Sequence, residues 1–148
     1  MNVLKAQMDI IKQLHASAGS VAYQRLDDDR TAVTPNRLVV YVFNSDELQL
    51  RLTSATKTTE LGRFFDEDKE VTPLRATDFY RGAGKLRRLE ADGVDVYIDT
   101  KHLKAFNANA SFWQIGAPAP DAPVLVAEPD PFTDEDEFVG LIMPVKLG

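Results

Sequence analysis

The stretch from Phe138 to Leu147 constrains the fold more than any other part of the chain. It reads Phe-Val-Gly-Leu-Ile-Met-Pro-Val-Lys-Leu, an almost unbroken apolar run. Such a run, rich in branched side chains and preceded by polar residues, is typical of a buried strand. The run from Pro123 to Val126 lies before it, and the acidic residues between the two would form a loop. We therefore predict a terminal β-hairpin in the core.

The rest of the chain predicts helices and strands in alternation. Helical spacing of apolar residues and suitable caps favour helices at residues 2–17, 77–92 and 99–106, the last capped by Asp99 or Thr100. Gly82 and Gly84 are unfavourable in a helix, so the alternative for the first half of 77–92 is a loop. Alternating or β-branched runs favour strands at residues 21–26, 38–43, 47–53, 94–98 and 111–115, with 38–43 and 47–53 forming a hairpin. Residues 54–70 show no clear pattern. This order predicts an α+β fold, an antiparallel sheet with helices on one face.

Length and composition favour a single folded domain. The chain has 148 residues, the usual size of one domain, so we expect one domain over residues 1–148. It has no cysteine, which excludes disulfides and thiolate chemistry. No stretch approaches the roughly 20 apolar residues of a membrane-spanning helix, and the first residues lack a signal-peptide core. We expect a cytoplasmic protein that makes no membrane contact.

The distribution of charge matters more than its sum. A formal net charge of −6 argues against binding nucleic acid by bulk attraction. The acidic residues, however, crowd into three predicted loops, at residues 27–29, 66–70 and 128–137. Basic residues recur on the predicted helices, and such a distribution could hold a polyanion over one face. The candidate DNA-binding residues are Lys5, Lys12, Arg81, Lys85, Arg87, Arg88, Lys101 and Lys104.

Patterns typical of catalysis are weak. The segment Tyr80–Leu86 lacks the first glycine and the final Ser or Thr of a phosphate-binding loop. His15 and His102 are the only histidines, and each is expected on the surface without a second metal ligand nearby. No nucleophile flanked by glycines is present. We predict that the protein is not an enzyme and has no cofactor.

The acidic and aromatic residues also favour ordinary structural roles. The acid pairs at positions 66/68 and 134/136 lack the glycine and the distal glutamate of a calcium loop, so we predict no metal site. Trp113 and most other aromatic residues are expected in the core. Because the predicted strands are poor in basic residues, binding of a single strand by base stacking is disfavoured.

The last third of the chain resembles the bacterial DNA sliding clamp family, the beta subunit of DNA polymerase III. The segment Met143-Pro-Val-Lys-Leu147 is similar to the Met-Pro-Met-Arg-Leu ending of that family. Residues 94–103 look like the clamp strand that leads into its second helix, and residues 111–115, 123–126 and 139–147 look like its last three strands. The resemblance implies one clamp-like domain whose helices line a DNA channel.

The resemblance also implies partners. In the family the terminal strand borders a pocket for peptides of polymerases and loaders, which would place that pocket at Met143, Pro144, Val145, Lys146 and Leu147. A ring of about six such domains would require six copies of the chain or foreign partners, and we expect a homo-oligomer. Val145, where the family has a methionine, departs from the pattern.

Two functions follow from these observations. The first is a clamp-like replication accessory protein that encircles or tracks duplex DNA without sequence specificity and binds peptides of replication proteins. The alternative is a small phage or plasmid protein that binds and modulates a host protein without contacting DNA. A shared basic face would favour the first function. An exposed apolar patch or an acidic loop at the contact would favour the second.

Overall fold

The computed structural model describes residues 1–66 and 68–147. Glu67, part of the acidic segment predicted at residues 66–70, and Gly148 lie outside the described residues. Within the described part, the chain forms ten strands and a single α-helix, α1 (Val3–Ser17). The predicted α+β fold with helices on one sheet face was therefore wrong. The molecule is mostly sheet, because two of the three predicted helices are replaced by strands or by a short turn.

The strands follow one another with short connections. Among the described residues, the 3₁₀ turn Ala18–Ser20 lies between α1 and the first strand, and the 3₁₀ turns Gly62–Phe65 and Thr100–Leu103 lie between strands. The strands are β1 (Ala22–Arg25), β2 (Arg30–Thr34), β3 (Val39–Asn44), β4 (Thr56–Lys57), β5 (Val71–Arg81), β6 (Leu86–Ala91), β7 (Val94–Asp99), β8 (Ser111–Ile115), β9 (Val124–Pro129) and β10 (Asp136–Ile142).

All ten described strands belong to one mixed sheet in the order β4-β1-β2-β3-β10-β9-β8-β5-β6-β7. Only β4 and β1 pair in parallel. The strands β1–β3 form one antiparallel meander and β8–β10 form another, and the two meet where β3 pairs antiparallel with β10. Each meander has three strands and follows a helical segment: α1 precedes β1, and the Thr100–Leu103 turn precedes β8. The two halves of the central sheet therefore have the same order of elements.

The sheet buries side chains on both faces. On one face Phe43, Ile142 and Phe106 pack with Ile10 of α1 in the larger apolar cluster. On the other face a smaller cluster contains Leu125 and Leu141, and it is covered in part by the Gly62–Phe65 turn. The central strands are therefore buried on both sides, which explains their nearly continuous apolar sequences.

The edge strand β7 contacts the segment that follows the central strand β10. The first half of β5 pairs with β8 and its second half pairs with β6, so β5 carries the chain from the central strands to the β5–β7 meander. The segment that follows β10 then meets β7, where the Val145 amide donates to the Tyr97 carbonyl across 2.8 Å. The sheet thus curls until β7 contacts the continuation of β10.

Several local predictions were confirmed. The first helix and the strands predicted at residues 21–26, 38–43, 94–98 and 111–115 are present, as is the terminal hairpin of β9 and β10. The last strand ends at Ile142, earlier than the predicted Leu147. On α1 the buried face was only partly predicted, because Ile10 is buried but Leu4, Met8 and Ile11 are exposed.

The helix predicted at residues 77–92 is instead the end of β5, a turn and β6. Gly82, Ala83 and Gly84 have φ angles of +61°, +57° and +86°, which no right-handed helix contains. Each glycine would also have cost a helix about 1 kcal/mol relative to alanine. The three-residue spacing of Leu86 and Leu89 suggested a helix, but in the strand Leu89 alone is fully buried.

The strand predicted at residues 47–53 was also wrong, although its alternation is real. Leu48, Leu50 and Leu52 are partly buried against the core, as the pattern indicated. The backbone, however, pairs with a side chain rather than a strand, since the Gln49 amide donates to Oε1 of Gln7 across 2.8 Å. The segment therefore lies along α1 and does not form a hairpin with β3.

We expect the substitution Gly140→Ala to destabilise the fold by about 1–3 kcal/mol. Gly140 lies opposite Tyr41 in the pairing of β10 with β3. A Cβ atom there would lie 2.6 Å from the Val40 carbonyl oxygen and would overlap the Phe106 ring, so backbone or ring must shift. Urea denaturation measures the effect. Gly19→Ala is the control, because no atom lies within 4 Å of its added Cβ, and equal stability of the two variants would contradict the expected overlap.

Candidate functional site

The eight basic residues predicted to bind DNA lie in two places. Four of them line an open groove of about 390 Å³ between α1 and the Thr100–Leu103 turn. The other four lie on the hairpin of β5 and β6. We call the first surface the basic groove. Its lining residues are Lys5, Met8, Asp9, Lys12, Asn36, Tyr41, Lys101, His102, Lys104 and Ala105.

The helical repeat of α1 places one wall of the basic groove. Lys5, Met8, Asp9 and Lys12 recur at spacings of three and four residues, so they share one face of the helix. Asn2 caps the helix by accepting a hydrogen bond from the Lys5 amide across 3.0 Å. Because the cap fixes where the helix begins, it also fixes which residues face the groove.

The opposite wall is the Thr100–Leu103 turn and the residue after it. A 3₁₀ turn has three residues per turn, so Lys101 and Lys104 lie on the same side. Asp99 caps this turn by accepting from the Lys101 amide across 3.0 Å, and its other oxygen lies 3.5 Å from the Lys101 Nζ. The longer helix predicted at residues 99–106 is therefore absent, and of the two caps predicted for it, Asp99 or Thr100, the structure has Asp99.

Tyr41 and Asp9 join the sheet to the helix at this groove. The Tyr41 hydroxyl donates to Oδ2 of Asp9 across 2.6 Å. Burial, together with the hydrogen bond to Asp9, raises the pKa of the Tyr41 phenol well above its usual range, so it remains a proton donor. A hydrogen bond from a neutral phenol leaves the charge of a carboxylate in place, so Asp9 offsets part of the lysine charge in the groove.

His102 differs from the prediction that both histidines lie on the surface. His15 is exposed, as predicted, but His102 retains only 6% of its accessible surface. Burial lowers the pKa of the His102 imidazole, and Lys101 adds to this effect, whereas Asp99 and Asp9 oppose it. The imidazole in the groove is therefore neutral at pH 7, and the lysines supply the positive charge.

The remaining predicted residues form a second basic surface at the end of the β5–β6 hairpin. We call residues 79–88 the arginine hairpin; they contain Arg81, Lys85, Arg87 and Arg88 and no acidic residue. The guanidinium of Arg88 lies 4.6 Å from the Phe79 ring centroid, and that of Arg81 lies 5.0 Å from the Tyr97 centroid. Basic and aromatic side chains are thus interleaved on strands. Base stacking was disfavoured because the predicted strands were poor in basic residues, and the observed strands β5 and β6 do not have that property.

The two basic surfaces touch at Thr100. The Thr100 amide donates to the Lys85 carbonyl across 2.8 Å, and its hydroxyl donates to the Gly84 carbonyl across 3.0 Å. The turn of the arginine hairpin therefore rests on the residue that precedes Lys101. The two basic surfaces are therefore neighbours that adjoin through the backbone at Thr100.

The predicted peptide pocket at residues 143–147 lies on the segment that follows β10. The amide of Met143 donates to the Leu38 carbonyl and that of Val145 donates to the Tyr97 carbonyl, each across 2.8 Å. Met143, Pro144 and Val145 are partly buried, whereas Lys146 and Leu147 are exposed. This segment therefore bonds to the residue before β3 and to β7, and its peptide-binding role stays a prediction.

Comparisons of the chain with protein-family models, curated proteins and solved structures found no match. The resemblance to sliding clamps therefore rests only on the short segments from which it was read. Among residues 1–66 and 68–147, no group of three His, Asp or Glu side chains could hold a metal ion, and no helix is long and apolar enough to cross a membrane.

The sequence indicated the lysines of the groove but not the residues that shape it. Asp9, Asn36 and Tyr41 come from three separate elements, and Tyr41 lay in a run predicted only as a buried strand. The available signal was weak: a tyrosine among valines in a central strand needs a partner for its hydroxyl.

We expect folding stability to fall as the pH drops below about 6.5, the ordinary histidine pKa, and His102→Gln to remove part of this loss. Because the folded-state pKa of His102 is lowered, the unfolded chain binds the proton more readily. The contribution of His102 to folding stability is therefore complete above its unfolded-state pKa. It is lost as the pH falls from that value toward the lower folded-state pKa. Urea midpoints between pH 5 and 7.5 measure the slope. His15→Gln is the control, and identical slopes in all three proteins would contradict the assignment.

Proposed function

We propose that the protein binds the phosphate backbone of duplex DNA without sequence specificity, through the basic groove. The observation that carries this proposal is the convergence of Lys5 and Lys12 of α1 with Lys101 and Lys104 of a distant turn on one open groove. Phosphate contact requires positive charge at suitable spacing but no reading of base edges. Lysine supplies such charge as a flexible point cation.

The electrostatics of the groove support this function despite the acidic chain. The four lysines that line the groove outnumber its one lining acid, Asp9, although Asp99 offsets part of the Lys101 charge. The acidic segments at residues 27–29 and 128–137 contribute no lining residue to the groove. A net charge of −6 limits indiscriminate attraction to polyanions, while a local basic surface can still bind one.

Encirclement of DNA is not part of this proposal. The ring implied by the clamp resemblance required several basic helices along an inner wall, and α1 is the single α-helix in the described chain. The groove needs no ring, because its four lysines come from one copy of the chain. The expected homo-oligomer and the replication partners stay predictions.

We expect the double substitution Lys5→Glu and Lys101→Glu to weaken duplex binding by about tenfold or more. Each substitution removes one phosphate contact, so the slope of log affinity against log salt should become shallower by about two. Fluorescence anisotropy with two unrelated 30-base-pair duplexes at several salt concentrations measures both quantities. The loss should be equal for the two sequences.

The matched control is the pair Lys57→Glu and Lys69→Glu, two exposed lysines that do not line the groove. It changes the net charge by the same amount. If the control weakens binding as much as the groove variant, binding depends on total charge and the groove has no specific role. If the wild-type protein does not bind either duplex, the proposed function is wrong.

A second candidate function, binding of a protein partner, is favoured by Phe132. This side chain is 94% exposed and lies in a loop with Asp130, Asp134 and Glu135, next to Asp136 at the start of β10. An exposed aromatic residue among acids suits a partner with an apolar pocket surrounded by basic residues.

For this second function we expect Phe132→Ala to abolish capture of a partner that the wild-type protein retains from nuclease-treated lysate. The ring would supply most of the contact area, and the acids would mainly speed association. Quantitative pull-down measures the retained protein. The control is Phe79→Ala, which removes another exposed aromatic side chain from a basic setting, and retention of the same partner by Phe132→Ala would count against this function.

A further inference from the structure

The arginine hairpin presents an aromatic ring between cations on one face of two strands. Phe79 lies at a register shift between β5 and β6, so its contacts define its face. Arg81 lies over the ring of Tyr97, and Tyr97 is the strand partner of Arg88. Tyr80 is the strand partner of Arg87, which points to the opposite face from Arg88. Arg88 of β6 lies over the Phe79 ring at 4.6 Å, and Arg87 lies over the Tyr80 ring at 5.7 Å. The face that carries Phe79 therefore also carries Arg81 and Arg88.

Phe79 is available to a ligand. Its side chain is 44% exposed, and it lies in β5 where the register with β6 shifts between Ala76 and Tyr80. A guanidinium already contacts one face of the ring, and this contact restricts the ring before a ligand arrives. A ring that is both exposed and held in position loses little conformational entropy when a second planar group stacks on it.

The charges around Phe79 favour an anionic ligand. Arg81 and Lys85 have no ion-pair partner within the described ranges. Arg88 lies 3.7 Å from Glu90 and 3.9 Å from Asp95, so its charge is partly offset on the side away from the turn. The free positive charge thus lies toward the turn, next to the exposed ring.

We propose that this face binds single-stranded nucleic acid, with an unpaired base stacked on Phe79 and the adjacent phosphates contacting Arg81 and Lys85. Stacking on an aromatic side chain combined with phosphate contacts is how single strands are bound without sequence preference. A duplex cannot use Phe79 in this way, because its base faces are already stacked on one another. The ligand of the arginine hairpin is therefore distinct from the ligand proposed for the basic groove.

The face that carries Phe79 lies close enough to the basic groove for one nucleic acid to contact both. Because Thr100 bonds to the carbonyls of Gly84 and Lys85, the hairpin turn adjoins the residues that carry Lys101. A nucleic acid with a single-stranded end next to a duplex could occupy both surfaces at once. This last step rests on the proposed function, whereas single-strand binding by the hairpin does not.

The test is binding of fluorescent 15-nucleotide oligo(dT) and oligo(U) by anisotropy. We expect the wild-type protein to bind at least one of them and Phe79→Leu to weaken that binding about tenfold, since leucine keeps the apolar bulk but has no ring face. Tyr80→Leu is the matched control, because Tyr80 is 46% exposed and points to the opposite face. Its affinity should stay within about twofold of wild type.

Two further variants make the outcome decisive. Arg81→Glu should also lower oligonucleotide affinity and make the salt dependence shallower, and it serves if Phe79→Leu proves unstable in urea. The groove variant with Lys5→Glu and Lys101→Glu should retain oligonucleotide binding, which separates failure of this proposal from failure of duplex binding. Absence of wild-type binding to both oligonucleotides, or equal affinities of Phe79→Leu and Tyr80→Leu, would overturn the proposal.

Discussion

The pairing of β3 with β10 holds the two halves of this molecule together. Val39, Val40 and Tyr41 lie opposite Ile142, Leu141 and Gly140, and all six residues are buried. These strands are separated by about a hundred residues of chain, so the pairing forms only after a long loop is closed. Each strand also completes its own meander, which makes this contact the point at which two local structures become one sheet.

The basic groove depends on that central pairing through Tyr41. On one side Tyr41 lies opposite Gly140, and its ring lies 5.7 Å from the Phe106 ring. At its other end its hydroxyl bonds to Asp9 of α1. The absence of a side chain at Gly140 leaves room for Phe106, which follows the turn that carries Lys101 and Lys104.

The start of α1 is tied to the same region by two further contacts. The Asn2 amide donates to the Ala105 carbonyl across 2.6 Å, and the Met1 amino group pairs with the buried carboxylate of Glu128 on β9. Glu128 also accepts a hydrogen bond from the Asn107 amide across 2.7 Å. Burial lowers the pKa of the Met1 amino group, and the Glu47 carboxylate acts in the opposite direction. Both walls of the groove are therefore positioned by the sheet.

The sequence predicted elements whose patterns are local and missed those that depend on distant partners. The runs of β3 and β9 were recognisable because buried central strands are apolar throughout. The segment at residues 47–53 has a real two-residue period, but only the buried side chain of Gln7 explains why no strand forms. Likewise the lysines of the groove could be selected by charge, while the contact of Tyr41 with Asp9 required the packing of α1 on the sheet.

At residues 77–92 the sequence predicted a helix, but the structure has two strands and a turn. This difference changes which ligands the arginines can bind. On a helix, Arg81, Lys85 and Arg88 would have shared one face as a purely cationic stripe. On strands the two-residue period instead places Arg88 beside Phe79 and Arg87 beside Tyr80, on opposite faces. A stripe of charge can bind only a phosphate backbone, whereas a cation next to an exposed ring can bind a base and its phosphate together. The left-handed turn at residues 82–84 therefore decides not only the fold of this segment but also the class of ligand that it can recognise.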